Sequence, residues 1–353
     1  MKTKLFSILF VLALLVAACA PTAPAKDLSD PLILVTEYYA AIEASDLEKA
    51  MTFASEDYVM TDPTGFTVGK EAATAAWQGY FDAGFTFDQS DFKADGNRVT
   101  SCYKVYENGN LIDEGCGAVT HVRDGKIVFD GLEPAEQIWI VQKFYEIVNT
   151  KDVDKAMSLT ADDYVMNDPF GTYNRTEAAA QWNAVVNDYG LSFNQTEFVN
   201  TGNGRVTSCY EVFENGNSID KGCGNVTHVR DGKIVYDGLQ EAEEIWVVQK
   251  YYEALNAKNL DLAMSFIASD ALFINPTGTY EGAEAIRASL EGLNTDGITF
   301  NLSNFRNTDG TIVYDYEVLQ GGNVLDKGTN GLTIVENGWI TFDGTEETLP
   351  ASR

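Results

Sequence analysis

The feature that most constrains this chain is repetition with the period of a whole domain. IWIVQKFYEIVNTKDVDKAMSL at 138–159 returns as IWVVQKYYEALNAKNLDLAMSF at 245–266, and a looser version, LILVTEYYAAIEASDLEKAMTF, stands at 32–53. RVTSCYKVYENGNLIDEGCGAVTHVRDGKIVFDG at 98–131 returns with few changes at 205–238 and, more distantly, at 311–344. Asp62 and Asp168 lie 106 positions apart, and Cys102 and Cys209 lie 107 apart. That period is too long for a solenoid turn and suits an independently cored domain. With 353 residues, 45% of them hydrophobic, the chain can supply three such cores. The copies are placed at 31–133, 134–240 and 241–346, with joints in the acidic segments GLEPAEQ and GLQEAEE.

Within each copy the pattern reads α-α-β-α-β-β-β-β. Ile138, Val141, Tyr145 and Val148 fall at helical spacing. Asp46, Asp152 and Asn259 stand where a second, short helix needs an N-cap. DYVM reads as a strand, the alanine-rich KEAATAAWQGYF and TEAAAQWNAVV as third helices, and ENGN and RDGK as hairpin turns.

The first residues read as an export signal. Lys2 and Lys4 precede an apolar run from Leu5 to Val16, short for a membrane span, and small residues lead to Cys19. VAAC at 16–19 resembles a bacterial lipobox. It implies a signal at 1–18, lipidation of Cys19 and a tether at 19–30, and hence a lipid-anchored, extracytoplasmic protein of the bacterial cell envelope. An ordinary cleaved signal, with Cys19 just upstream of the mature start, is the alternative. The formal net charge of −29 disfavours nucleic acid and anionic headgroups as partners, so the membrane is expected only through the anchor.

YY…ASDLEKAM, DYVMTDPTG, the G-x-E-A helix opening and HVRDGKIV, in this order and three times over, resemble the NTF2-like superfamily of SnoaL-type cyclases and ketosteroid isomerases. The resemblance implies an α+β fold, three tandem cone-shaped barrels in which helices are cupped by a bent antiparallel sheet. Cys102 and Cys116 then flank one hairpin, Cys209 and Cys223 the next, each 14 positions apart, with Asp315 and Thr329 replacing both in copy three. Two disulfides, Cys102–Cys116 and Cys209–Cys223, are expected in an oxidising compartment, and no metal site.

The resemblance also implies where acid–base chemistry would sit. The general base falls on Asp62, Asp168 and Asn275, the oxyanion-binding tyrosine on Tyr38, Phe144 and Tyr251, and the second acid on Thr120, Thr227 and Thr333. Only copy one keeps base and tyrosine together, so an isomerase-, cyclase- or dehydratase-like activity, with Asp62 as base and Tyr38 as donor, is expected there if anywhere. The bland reading of DPTG is a turn, since Asp or Asn, then Pro, then Gly is sound turn chemistry. His121 and His228, replaced by Ile334 in copy three, read as packing. Trp77 and Trp182 on the third helices are candidate pocket walls. The leading expectation is non-catalytic binding of small apolar or aromatic molecules, without a cofactor. A structural or adhesive surface module with sheet-to-sheet self-association is the other alternative.

Overall fold

The structure, a computed structural model, describes residues 26–350. The expected signal, Cys19 and most of the expected tether lie outside the described residues. The first copy runs α1 (Pro31–Glu43), α2 (Leu47–Phe53), β1 (Ala54–Asp62), β2 (Gly65–Val68), α3 (Lys70–Asp82), β3 (Phe85–Asp95), β4 (Arg98–Glu107), β5 (Asn110–Arg123) and β6 (Lys126–Leu132). The second runs α4 (Glu133–Asn149), α5 (Val153–Met157), β7 (Thr160–Asp168), β8 (Gly171–Asn174), α6 (Arg175–Asn183), β9 (Leu191–Gly202), β10 (Arg205–Glu214), β11 (Asn217–Arg230) and β12 (Lys233–Leu239). The third runs α7 (Gln240–Asn256), α8 (Leu260–Met264), β13 (Ile267–Asn275), β14 (Gly278–Glu281), α9 (Ala283–Thr295), β15 (Ile298–Thr308), β16 (Thr311–Gln320), β17 (Asn323–Glu336) and β18 (Trp339–Thr345).

Local chemistry sets these boundaries. Pro31 opens α1 behind an Asp30 cap whose side chain accepts from the Leu32 backbone N–H at 2.8 Å. Asp46, Asp152 and Asn259 cap α2, α5 and α8 by accepting from Lys49, Lys155 and Leu262. Asn108 and Gly109, at φ 49° and 81°, make the tight turn that ENGN calls for.

Each sheet has six strands, in the first copy ordered β2-β1-β6-β5-β4-β3. Two features differ from the sequence reading. A short β2 follows the DPTG turn and pairs antiparallel with β1, four residues being too few to show an alternation. The sheet is also mixed rather than wholly antiparallel. Helices α1 and α2 lie ahead of β1 in the chain, and β1 enters beside the last strand, β6, running parallel to it.

The disulfides Cys102–Cys116 and Cys209–Cys223 cross-link directly opposed residues of β4–β5 and β10–β11. In the third sheet the Asn304 amide instead donates to Asp315 at 2.6 Å. Breaking one bridge with paired Cys→Ser substitutions is expected to destabilise the unit carrying it by about 3 kcal/mol, the chain-entropy value for a loop of this length. Urea unfolding with and without reductant reads the loss.

The chain divides into two compact units, one ending at Leu132 and one beginning at Glu133, the second holding two of the sheets. Within the second unit the two sheets are joined by a buried ionic knot. Arg205 of β10 donates to both carboxylate oxygens of Glu243 on α7, at 2.7 and 3.0 Å, and His228 of β11 lies 2.5 Å from the same carboxylate. All three side chains are at most 4% exposed. Trp246 stacks beside His228, with ring centroids 4.9 Å apart. Burial pushes the Glu243 carboxyl up, but the hydrogen bonds and charges of His228 and Arg205 outweigh it and hold the group below its usual range. His228 is thus packed, as expected, but it also has an acidic partner that its own repeat does not reveal.

Candidate functional site

The most unusual chemistry in each domain lies on the strand spelled KIVFDG, KIVYDG or WITFDG. Ile127, Val128 and Phe129 of β6 are buried, and Asp130, which follows them, is only 5% exposed. Gly131 comes next because a Cβ there would strike the Thr61 side chain on the neighbouring β1. At Gly238 a Cβ would come within 2.6 Å of the Asn167 carbonyl oxygen. The glycine lets the parallel strand close over the aspartate.

Asp130 is held by the chain's own hydroxyls. Tyr38 of α1 and Tyr58 of β1 each donate to Oδ2 at 3.1 Å, and Tyr39 of α1 donates to Oδ1. The Tyr38 and Tyr58 hydroxyls are 2.9 Å apart, and Thr120 lies 3.4 Å from the Tyr39 hydroxyl. In the second domain Tyr145 donates to Asp237 at 3.0 and 2.9 Å and Thr227 at 2.8 Å, with the Asn225 amide at 3.3 Å. In the third, Tyr252 donates to Asp343 at 3.0 Å, Thr333 at 2.8 Å and Tyr314 at 3.1 Å.

A tyrosine of the first helix, a threonine of the fifth strand and the aspartate of the sixth recur in all three domains. One other member moves. Where β1 and β7 carry Tyr58 and Tyr164, β13 carries Ala271, and Tyr314 of β16 takes over from Ser101 and Ser208. In the third domain the extra hydroxyl therefore reaches the carboxylate from a different strand than Tyr58 does in the first, whereas the Tyr164 hydroxyl of the second domain has no hydrogen-bond partner.

Burial raises the pKa of all three aspartates against the lowering pull of these hydrogen bonds, to about 6 for Asp343. Tyr38, Tyr39 and Tyr58 are pushed well above the ordinary phenol range, first by burial and then by neighbouring charge. In the unfolded chain Asp343 releases its proton near 3.8, whereas the folded chain holds it to about 6. Its contribution to stability is therefore full below pH 4 and lost as pH rises through 6, a swing of about 3 kcal/mol. The difference in unfolding free energy between the native chain and Asp343→Asn should shrink in that direction by about 2 kcal/mol between pH 4 and pH 7, the unfolded carboxyl being already partly ionised at pH 4.

The residues singled out as bases lie elsewhere. Asp62 ends β1 and accepts from the Thr64 backbone N–H at 2.6 Å, the Thr64 hydroxyl at 2.5 Å and the Tyr80 hydroxyl at 2.6 Å. Asp168 accepts from the backbone of Phe170 and Gly171 and from Gln181, and Asn275 accepts from Thr277. All three tie the turn between the first two strands of their sheet. Burial pushes the Asp62 carboxyl up, but the hydrogen bonds from Thr64 and Tyr80 outweigh it and leave the group below the usual range, a weaker base than a free carboxylate. Tyr38 thus bonds to Asp130 while Asp62 bonds to Tyr80, so the structure does not bring the expected base and donor together.

A model of the SnoaL-like domain matches residues 35–129, 141–236 and 248–345. The chain belongs to the SnoaL-like family. No curated protein matches it. Among solved structures, an NTF2-like protein of unknown function from Cytophaga hutchinsonii is 20% identical, covering 29% of this chain and 88% of its own, with a TM-score of 0.27. A Sinorhizobium meliloti protein provisionally named a polyketide cyclase is 18% identical over 28% and 93% of the two chains, with a TM-score of 0.26. An LEH-like epoxide hydrolase of M. tuberculosis is 17% identical over 29% and 82%, again with a TM-score of 0.26.

In these SnoaL-like domains the remaining expected pocket residues line the core. Trp77 packs on Tyr80, Phe81 and Phe87, and Trp182 on Phe144, Tyr145 and Phe193. Tyr251 is buried, its ring 4.8 Å from that of Tyr252. Thr120, Thr227 and Thr333 belong to the aspartate clusters. Among the described residues, Glu197 lies with Cys209 and Cys223 in a grouping that could hold a metal, but both sulfurs are committed to a disulfide. Sequence reasoning missed Asp130, Asp237 and Asp343, together with Tyr39, Tyr145 and Tyr252. The available signal was an aspartate inside an otherwise apolar strand in every copy, at a place where no turn needs it.

Proposed function

We propose that this chain is a lipid-anchored, extracytoplasmic protein whose three SnoaL-like domains form a non-catalytic scaffold that binds partners through its surfaces. The observation that carries this reading is the saturation of the enclosed carboxylates, buried at Asp130 and Asp237 and half-buried at Asp343. Both oxygens of Asp130, Asp237 and Asp343 already accept hydrogen bonds from the chain itself. A substrate oxyanion or acidic C–H would have to displace tyrosines that are themselves buried. Tyr38, Tyr145 and Tyr251 are themselves buried in the three cores, which supports a structural module over a small-molecule carrier.

Two experiments test the proposal. The full chain should not isomerise an enolisable ketosteroid above the buffer rate, and turnover lost in Asp62→Asn or Asp130→Asn would sink the non-catalytic reading. Labelled palmitate should enter the protein in a bacterial host and fail to enter Cys19→Ala. Equal labelling of both would remove the anchor.

A further inference from the structure

The geometry points to a ligand site outside the barrels, in the seam between the second and third SnoaL-like domains, that takes a small organic cation bearing an oxygen, of the choline class. A cleft of about 640 Å³ opens there, within the range of small-molecule sites and at the kind of domain boundary where such sites concentrate. The inference does not depend on the barrel interiors being closed.

Its inner wall is mostly apolar and aromatic, with Val235 from β12, Trp246 from α7 and Phe266, all at most 5% exposed, and it also includes His228, whose ring is held by Glu243. The indole N–H of Trp246 has no hydrogen-bond partner, a buried donor awaiting an acceptor. The rim mostly offers acceptors. The Asn200 amide already donates to the Pro134 carbonyl and to Gln137, and that of Asn203 to the Ser265 carbonyl. Arg230 is paired with Asp163 at 2.7 Å, so its charge is largely answered. Asp231 and Asp261 complete the rim, and Asp261 pairs with Arg287 at 2.9 Å.

A ligand suited to this lining brings positive charge to the carboxylate rim, presents an alkylammonium surface to the aromatic wall, and offers one oxygen to the indole. A formal charge of −29 on the chain concentrates cations near it and repels anions.

Choline titrated into the full chain at low salt, followed by calorimetry and tryptophan emission, is the test. One saturable site per chain is expected. Asp231→Asn should weaken binding about tenfold, as should Trp246→Phe, which keeps the ring but removes the donor. Asp231 sits in a turn at φ 50°, a conformation asparagine adopts readily, so the variant should fold. Glu291→Gln, which removes one charge from exposed helix α9, should leave the affinity unchanged. Failure to saturate, or an equal loss in Glu291→Gln, would show that only diffuse charge attracts the cation and overturn the site.

Discussion

Glu243→Ala is expected to destabilise the C-terminal unit by about 3–5 kcal/mol, the usual cost of stranding a buried charge by removing its partner. Arg205 and His228 would be left facing each other at the seam without their carboxylate. The same principle predicts the remedy. Replacing Arg205, His228 and Glu243 together by apolar residues of similar volume should recover much of the loss, because the knot's desolvation cost is removed with its charges. The third copy has Thr311 and Ile334 where the second has Arg205 and His228, so the fold itself does not require the charged pair. Urea unfolding followed by tryptophan emission would report both variants. A single substitution costing less than about 1 kcal/mol would mean that the knot is open to solvent.

Asp130→Ala should cost a comparable amount for a different reason. It leaves the Tyr38, Tyr39 and Tyr58 hydroxyls in the core without their common acceptor, at about 1–3 kcal/mol for each buried group left unpaired. Tyr38 and Tyr58 retain each other at 2.9 Å, so Tyr39 should bear most of the penalty. Asp130→Asn keeps an acceptor oxygen and should therefore be milder. The ordering Ala worse than Asn, read from urea midpoints, separates loss of the acceptor from loss of charge.

The fold was legible because its signals are local and were written three times. Helical spacing in the first helices, caps at Asp46, Asp152 and Asn259, and the ENGN and RDGK turns each act within a few residues. The four-residue β2 escaped because so short a strand carries no period, and the parallel β1–β6 pairing escaped because it joins residues some 70 positions apart. The aspartate clusters escaped for a related reason. Asp62 stands in a conspicuous phrase, but DPTG explains itself as a turn, and the hydrogen bonds from Thr64, two residues on, tie that turn. Asp130 sits in a plain apolar strand, and its partners Tyr38, Tyr39 and Tyr58 come from 72 to 92 positions away. The tyrosine that reaches the carboxylate in every domain is also one position later than the resemblance places it, at Tyr39, Tyr145 and Tyr252.

The strand aspartate, rather than the turn aspartate, as the enclosed polar centre of the first domain is best tested by carboxyl carbon NMR of aspartate-labelled protein titrated with acid. Asp130 should keep its proton to a pH above 3.8, while Asp62 stays ionised to below it. The reverse order, with Asp62 the weaker acid, would return the turn carboxylate to the role of base and contradict the account.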